Sequence, residues 1–188
     1  ELNWENPEVD EDFKETISFW VKMGADGFRI DVAHGLAKEN ILTDHHDPKG
    51  LSDALRIDLE METSKRESLL ASVPYFDRAG VHEIYRSWRK HFDLFEKPIM
   101  AVAEAWVHPP VNGVAYVRPD ELHQIFNFDL LIAPFEAKTL FSLINNTIDM
   151  LKGVDAYPTW AISNHDSPRV ASRLGVEESR ALALSSPK

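Results

Sequence analysis

Residues Pro98-Ile99-Met100-Ala101-Val102-Ala103 form an unbroken apolar run that stops at Glu104. The run has the length of a strand rather than a helix. A strand apolar at every position, not every second one, is predicted to be covered on both faces, as in parallel sheets. Parallel strands need long crossovers, usually helical. A chain built around such a strand is therefore expected to alternate helices and strands.

The remaining sequence follows that alternation. Asn6-Pro7-Glu8 reads as a helix start, with Asn as N-cap and Pro in the first turn. Val9, Phe13, Ile17 and Trp20 make an apolar stripe that Gly24 ends. A short strand, Gly27 to Ile30, follows and stops at Asp31. Val81, Ile84, Tyr85, Trp88, Phe92 and Phe95 mark the clearest amphipathic helix, just before the apolar run. Residues 105–121 are Pro-rich and loop-like. A strand is predicted within Gln124–Leu130, and a helix carrying Leu140, Leu143, Ile144, Ile148 and Leu151 stops near Gly153. Thr159 to Ser163 is a last strand, ending at Asn164-His165-Asp166, and a helix begins after Gly175.

Residues 35–76 show no clean period and are expected to be a long functional loop or lid between strand and helix. His45, His46 and Asp47 lie in its turn-rich part. They are read as polar loop residues exposed to water, since no second ligand cluster has a matching spacing for a metal. The Asn145-Asn146-Thr147 sequon falls on a predicted helix and is read as a chance match.

Charge narrows the function classes. Twenty Lys and Arg against 31 Asp and Glu give a net charge of −11 in 188 residues. That argues against nucleic acid and anionic membranes and suits a neutral substrate or a soluble partner. No apolar run is long enough to span a bilayer. With no cysteine there is no disulfide framework, which is compatible with a reducing cytoplasm. Neither a G-x-G-x-x-G phosphate loop nor a G-x-S-x-G elbow occurs.

Three of the four predicted strands end in charged groups: Arg29-x-Asp31, Glu104 and His165-Asp166. Arg29 and Asp31, two apart, share one face of a strand. In a closed β/α barrel such strand ends converge on one mouth. Two carboxylates facing each other across a sugar are what retaining glycoside hydrolysis needs, one ionised to attack and one protonated to donate. Arg29 is placed to keep Asp31 ionised. The plainer reading of Arg29 and Asp31 is a structural ion pair at a strand end. A metal-dependent hydrolase using Asp31, His34, Glu104, His165 and Asp166 is the rival catalytic reading. It lacks the His pair on one strand, or the H-E-x-x-H helix, of such sites.

Gly27-Phe28-Arg29-Ile30-Asp31, Ala103-Glu104-Ala105-Trp106 and Ser163-Asn164-His165-Asp166 resemble, in order, the second, third and fourth signature regions of the α-amylase superfamily of retaining glycoside hydrolases. The resemblance is closest to bacterial α-glucosidases and oligo-1,6-glucosidases, helped by Phe126-Asn127-Phe128-Asp129. It implies an α/β fold, a partial (β/α)8 barrel comprising about strands four to seven with their helices, with residues 1–188 a single segment of the catalytic barrel. Leu2-Asn3 resembles the end of a further short motif, from which Glu1 departs. By the resemblance Asp31 is the nucleophile, Glu104 the general acid and base, and Asp166 the third carboxylate. Arg29 and His165 bind the nucleophile and sugar hydroxyls, and His34 lies toward the aglycone. Val32 resembles the residue type of members that accept α-1,6 bonds. The resemblance implies an oligosaccharide substrate and no required cofactor. It leaves room for a structural calcium ion to which no residue is assigned. The first signature region and the other four strands are not among these residues. The expectation is a fragment of a longer enzyme, inactive alone, with open barrel edges through which it self-associates. A catalytically dead relative serving as a binding or scaffold module is the alternative.

Overall fold

The computed structural model describes residues 2–38, 43–56 and 61–185. Glu1 and parts of the 35–76 stretch therefore lie outside the described residues. Helix α1 is Pro7–Lys22, and the Asn6 side chain accepts the Glu8 N–H at 3.2 Å as its cap. Gly24, at φ +102, supplies the left-handed turn into strand β1, Gly27–Ile30. Helices α2, Pro48–Ala54, α3, Thr63–Ala71, and α4, Ala79–Phe92, precede strand β2, Met100–Ala103. A 3₁₀ helix, Pro110–Val117, leads to β3, Gln124–Asn127. Then come α5, Asp129–Ile132, α6, Ala137–Lys152, β4, Thr159–Trp160, α7, Val170–Leu174, and α8, Val176–Ser185.

All four strands are parallel and lie in chain order. The sheet is an open segment of a β/α barrel, with β1 and β4 as its edges among the described residues. Its core is one-sided. Val81, Tyr85, Trp88 and Phe92 of α4 are buried in one cluster with Ala101 and Ala103 of β2. The small alanines let the aromatic side of α4 come close to the sheet. Asp10 ties α1 to α4, accepting from the Trp88 indole at 3.0 Å and from Ser87 Oγ at 2.8 Å.

The expectation that residues 98–103 are covered on both faces is corrected. Ala101 and Ala103 are 1% and 0% exposed, whereas Met100 is 48% exposed. Helices cover one face, and the other stays open among the described residues. Trp20, expected in the buried stripe of α1, is half exposed. Strand β4 is also shorter than the predicted Thr159–Ser163.

The 35–76 stretch is more ordered than a plain loop. Its helices α2 and α3 form a small core of their own from Leu51, Ala54, Leu69, Leu70 and Val73. His45 is not exposed to water, as expected, but 6% exposed. Its Nδ1 accepts the Asp47 N–H at 3.0 Å, and its Nε2 lies 2.9 Å from Ser72 Oγ. A neutral ring with its proton on Nε2 satisfies both and joins the start of α2 to the end of α3. Asp47 caps α2, accepting the Gly50 N–H at 2.8 Å.

Candidate active site

Register assembles the site. Ile30 pairs with Ala103, so Asp31 and Glu104 are the next residues of adjacent strands. The Glu104 N–H donates to Ile30 C=O at 2.9 Å, and the Ala33 N–H donates to Glu104 C=O at 2.8 Å. Ile30 and Ala103 pack into the helix-side core. By the two-residue alternation of strands, Asp31 and Glu104 leave the sheet on its open face, with Arg29 and Val102. Arg29 Nη1 lies 2.6 Å from Asp31 Oδ1, and both side chains reach solvent.

Each oxygen of Glu104 takes one N–H. Val32 N–H donates to Oε2 at 2.9 Å, and the Trp106 indole donates to Oε1 at 2.9 Å. Val32 makes its bond from a left-handed backbone, φ +46, which a β-branched residue rarely adopts. The Gly35 N–H closes that turn on Val32 C=O at 2.9 Å. The Trp106 ring stacks on Phe128, 4.2 Å between centroids and 6° from parallel.

His34 does not stand in the mouth. It is 3% exposed, with its ring edge against Phe76, 4.5 Å away. The Trp106 backbone N–H donates to its Nδ1 at 3.4 Å. Burial pushes the imidazole down to about 4, against the pull of Asp77. His165 and Asp166 follow β4, two strands away from β2, and both are exposed, 3.4 Å apart. No hydrogen bond or ion pair joins Asp166 to Asp31 or Glu104 among the described residues. Asp166 and Trp106 do line one cavity of about 500 Å³, with Arg56, Arg66 and Asn164.

A buried polar network holds the loops around the mouth. Glu121 is 0% exposed and meets Arg118, His82 at 2.8 Å and Arg86 at 3.7 Å. Asp77 accepts from Tyr116 Oη and from Asn112 Nδ2, both at 2.8 Å. The Tyr85 hydroxyl donates to the Ala33 carbonyl. Burial raises both phenols far above their ordinary range, so they act as fixed donors. Among the described residues no three His, Asp or Glu side chains are grouped to hold a metal ion.

Two elements of this site carried no assigned role in the sequence: the Val32 N–H and the Trp106 indole. The signal for Trp106 was present, because a residue two beyond Glu104 on an extended chain falls on the same side. A backbone donor such as Val32 N–H has no sequence signal.

Residues 1–186 match the family described as alpha amylase, catalytic domain. The chain is 28% identical over 188 residues to the oligo-1,6-glucosidase of Parageobacillus thermoglucosidasius, covering 93% of this chain and 30% of that one. It is 25% identical over 186 residues to the human amino acid transporter heavy chain SLC3A1, covering 93% of this chain and 26% of the relative. The crystal structure of the alpha-glucosyl transfer enzyme XgtA superposes with a TM-score of 0.70 at 23% identity, over 92% of this chain and 31% of that one. That likeness shows the fold. The chain thus spans about a third or less of the length of these proteins.

Proposed function

Because the chain belongs to the α-amylase catalytic-domain family, we propose that it carries the reacting carboxylates of an enzyme that cleaves α-glucosidic bonds. The substrates are malto- or isomalto-oligosaccharides, joined α-1,4, α-1,6 or both, and the mechanism is a retaining double displacement. Asp31 attacks the anomeric carbon, with the Arg29 guanidinium 2.6 Å from its carboxylate to orient it. Glu104 protonates the departing oxygen and then takes a proton from the water that frees the sugar. Asp166 steadies the positive charge that develops on the ring, with His165 and Arg29 at the sugar hydroxyls. No cofactor takes part.

One observation carries this reading: Asp31 and Glu104 follow a registered pair on neighbouring strands. Adjacent strands lie about 4.8 Å apart. Two carboxylates leaving one face at one level therefore suit the roughly 5–5.5 Å separation of retaining enzymes, not the roughly 6.5–9.5 Å of inverting ones. The similarity to a transporter heavy chain favours a second reading, a non-catalytic scaffold built on the same barrel segment.

The test is covalent trapping on the full-length protein. A 5-fluoro-α-glucosyl fluoride should lose its anomeric fluoride and add one 5-fluoroglucosyl mass to the peptide holding Asp31, and Asp31→Asn should abolish the adduct. Released sugar should appear first as the α anomer by NMR. Absence of both an adduct and turnover on maltose, isomaltose, sucrose and starch would establish the scaffold reading.

A further inference from the structure

We propose that Tyr85 is a positioning residue: its hydroxyl, fastened to the Ala33 carbonyl, keeps the turn after Asp31 in the shape that presents the Val32 N–H to the Glu104 carboxylate. The proposal rests on the catalytic role given to Glu104 above. Tyr85 stands on α4 and is fully buried, its ring against Trp88 and Tyr116 at centroid distances of 5.8 and 5.9 Å. From there its hydroxyl reaches across the core and donates to the Ala33 carbonyl. Ala33 is fully buried as well, so water is not at hand to replace that donor. Through this hydroxyl, α4 takes hold of the chain two residues beyond Asp31.

The turn needs holding because Val32 sits at φ +46, where a β-branched residue is strained. Relief means rotating about its N–Cα bond, and one of the two flanking peptides must then swing. Both of them donate to Glu104. The peptide before Val32 carries the N–H that meets Glu104 Oε2 at 2.9 Å. The peptide after it carries the Ala33 N–H that meets Glu104 C=O at 2.8 Å. Ala33 is gripped at both ends, by Glu104 at its N–H and by Tyr85 at its carbonyl. The Gly35 N–H bond to Val32 C=O and the Asp77 N–H bond to His34 C=O, at 2.9 and 2.7 Å, do not restrain that carbonyl. Without the hydroxyl it is buried and unpaired. Turning it toward a new donor lets Val32 relax in the same motion, at the expense of the bonds that hold Glu104.

Tyr85→Phe deletes the hydroxyl and keeps the ring. The readout in the full-length protein is kcat/KM on two aryl α-glucosides, phenyl and 2,4-dinitrophenyl. The phenyl glucoside needs a proton from Glu104 as its bond breaks, whereas dinitrophenolate leaves without one. A general acid contributes roughly 10²–10⁴-fold, and one that has lost an anchor should forfeit about tenfold, on the phenyl glucoside alone. Lost stability or a generally disturbed site slows both glucosides alike, and that result overturns the proposal, as does no slowing of either. Val32→Asn supplies a residue that tolerates positive φ, so the double variant Y85F/V32N should regain most of the selective loss; no recovery overturns the proposal. If Y85F does not fold, the double variant decides. It should fold and handle the two glucosides in the same ratio as the unsubstituted protein. If it too is unfolded, the hydroxyl serves the core rather than the turn, and the proposal is overturned. Glu104→Gln tests the underlying reading separately, since it should slow the phenyl glucoside far more than the dinitrophenyl one. If E104Q shows no such difference, the role given to Glu104 fails, and the crystal structure of Y85F decides the turn by itself. A Val32 N–H still bonded to the Glu104 carboxylate in that structure overturns the proposal; a turn that has moved off Glu104 upholds it.

Discussion

A β-branched residue at φ +46 carries backbone strain, and Val32 keeps it between Asp31 and the Glu104 carboxylate to which its N–H donates. Val32 is 46% exposed, so only partial packing compensates. Val32→Asn should stabilise the chain by about 1 kcal/mol, since Asn tolerates this backbone region; an unchanged or lower melting temperature would contradict the strain argument. His34 has the opposite character, a buried ring whose protonation is opposed. Its midpoint is about 4 folded against 6.5 unfolded. Between those values the unfolded chain holds a proton that the folded chain does not. Stability from His34 is therefore intact above pH 6.5 and declines as pH falls toward 4, by on the order of 3 kcal/mol. Urea titrations at pH 7 and pH 5 should show the decline, and His34→Gln should flatten it. By resemblance the sequence placed His34 toward the aglycone, but its burial depends on Phe76, 42 positions away, which no local pattern reveals.

The elements that were legible in the sequence are those whose periodicity is long and whose caps are conventional. Helix α4 carries apolar spacing through its nearly four turns, and α1 has an Asn cap with Pro behind it. Helices α2 and α3 were not legible because each is too short to establish a period. Their stability comes from each other, as expected of helices below about twelve residues. His45 was misjudged for the same reason, since its value lies in bridging two helices that were not seen. Strand β4 was overdrawn because Ala161 and Ile162 prolong its apolar run, yet its ladder with β3 ends with the Ala161 N–H bond to Asn127 C=O at 3.0 Å. If α2 and α3 are one cooperative unit, Leu70→Ala should cost about 2–5 kcal/mol within it. Hydrogen exchange should then accelerate in α2 and α3 while amides of α4 and β2 keep their protection. Uniform loss across the chain would mean that the excursion and the sheet fold as one.

Across the whole molecule, the open face and the two free edges dominate. The sheet has helices on one side, and β1 and β4 each lack a second neighbour among the described residues. Near the β4 edge, Thr159 Oγ1, Trp160 Nε1, Ser163 Oγ and Ser167 Oγ are buried without a hydrogen-bond partner among the described residues. Each such group costs about 1–3 kcal/mol. Unpaired parallel edges invite pairing with another chain. Opposing this is the net charge of −11, which keeps copies apart. The balance is set by ionic strength, because the screening length falls from about 30 Å at 0.01 M salt to about 3 Å at 1 M. Hydrophobic and backbone contacts at the edges are not weakened by that change. The isolated 188-residue chain should therefore be largely monomeric at low salt and associate as salt rises, seen as a growing sedimentation coefficient at fixed concentration. Joined to the strands that complete a barrel, the same residues should stay monomeric across that range, since closure removes the edges. An isolated chain that remained monomeric at 1 M salt would show that its edges are already protected by something other than charge.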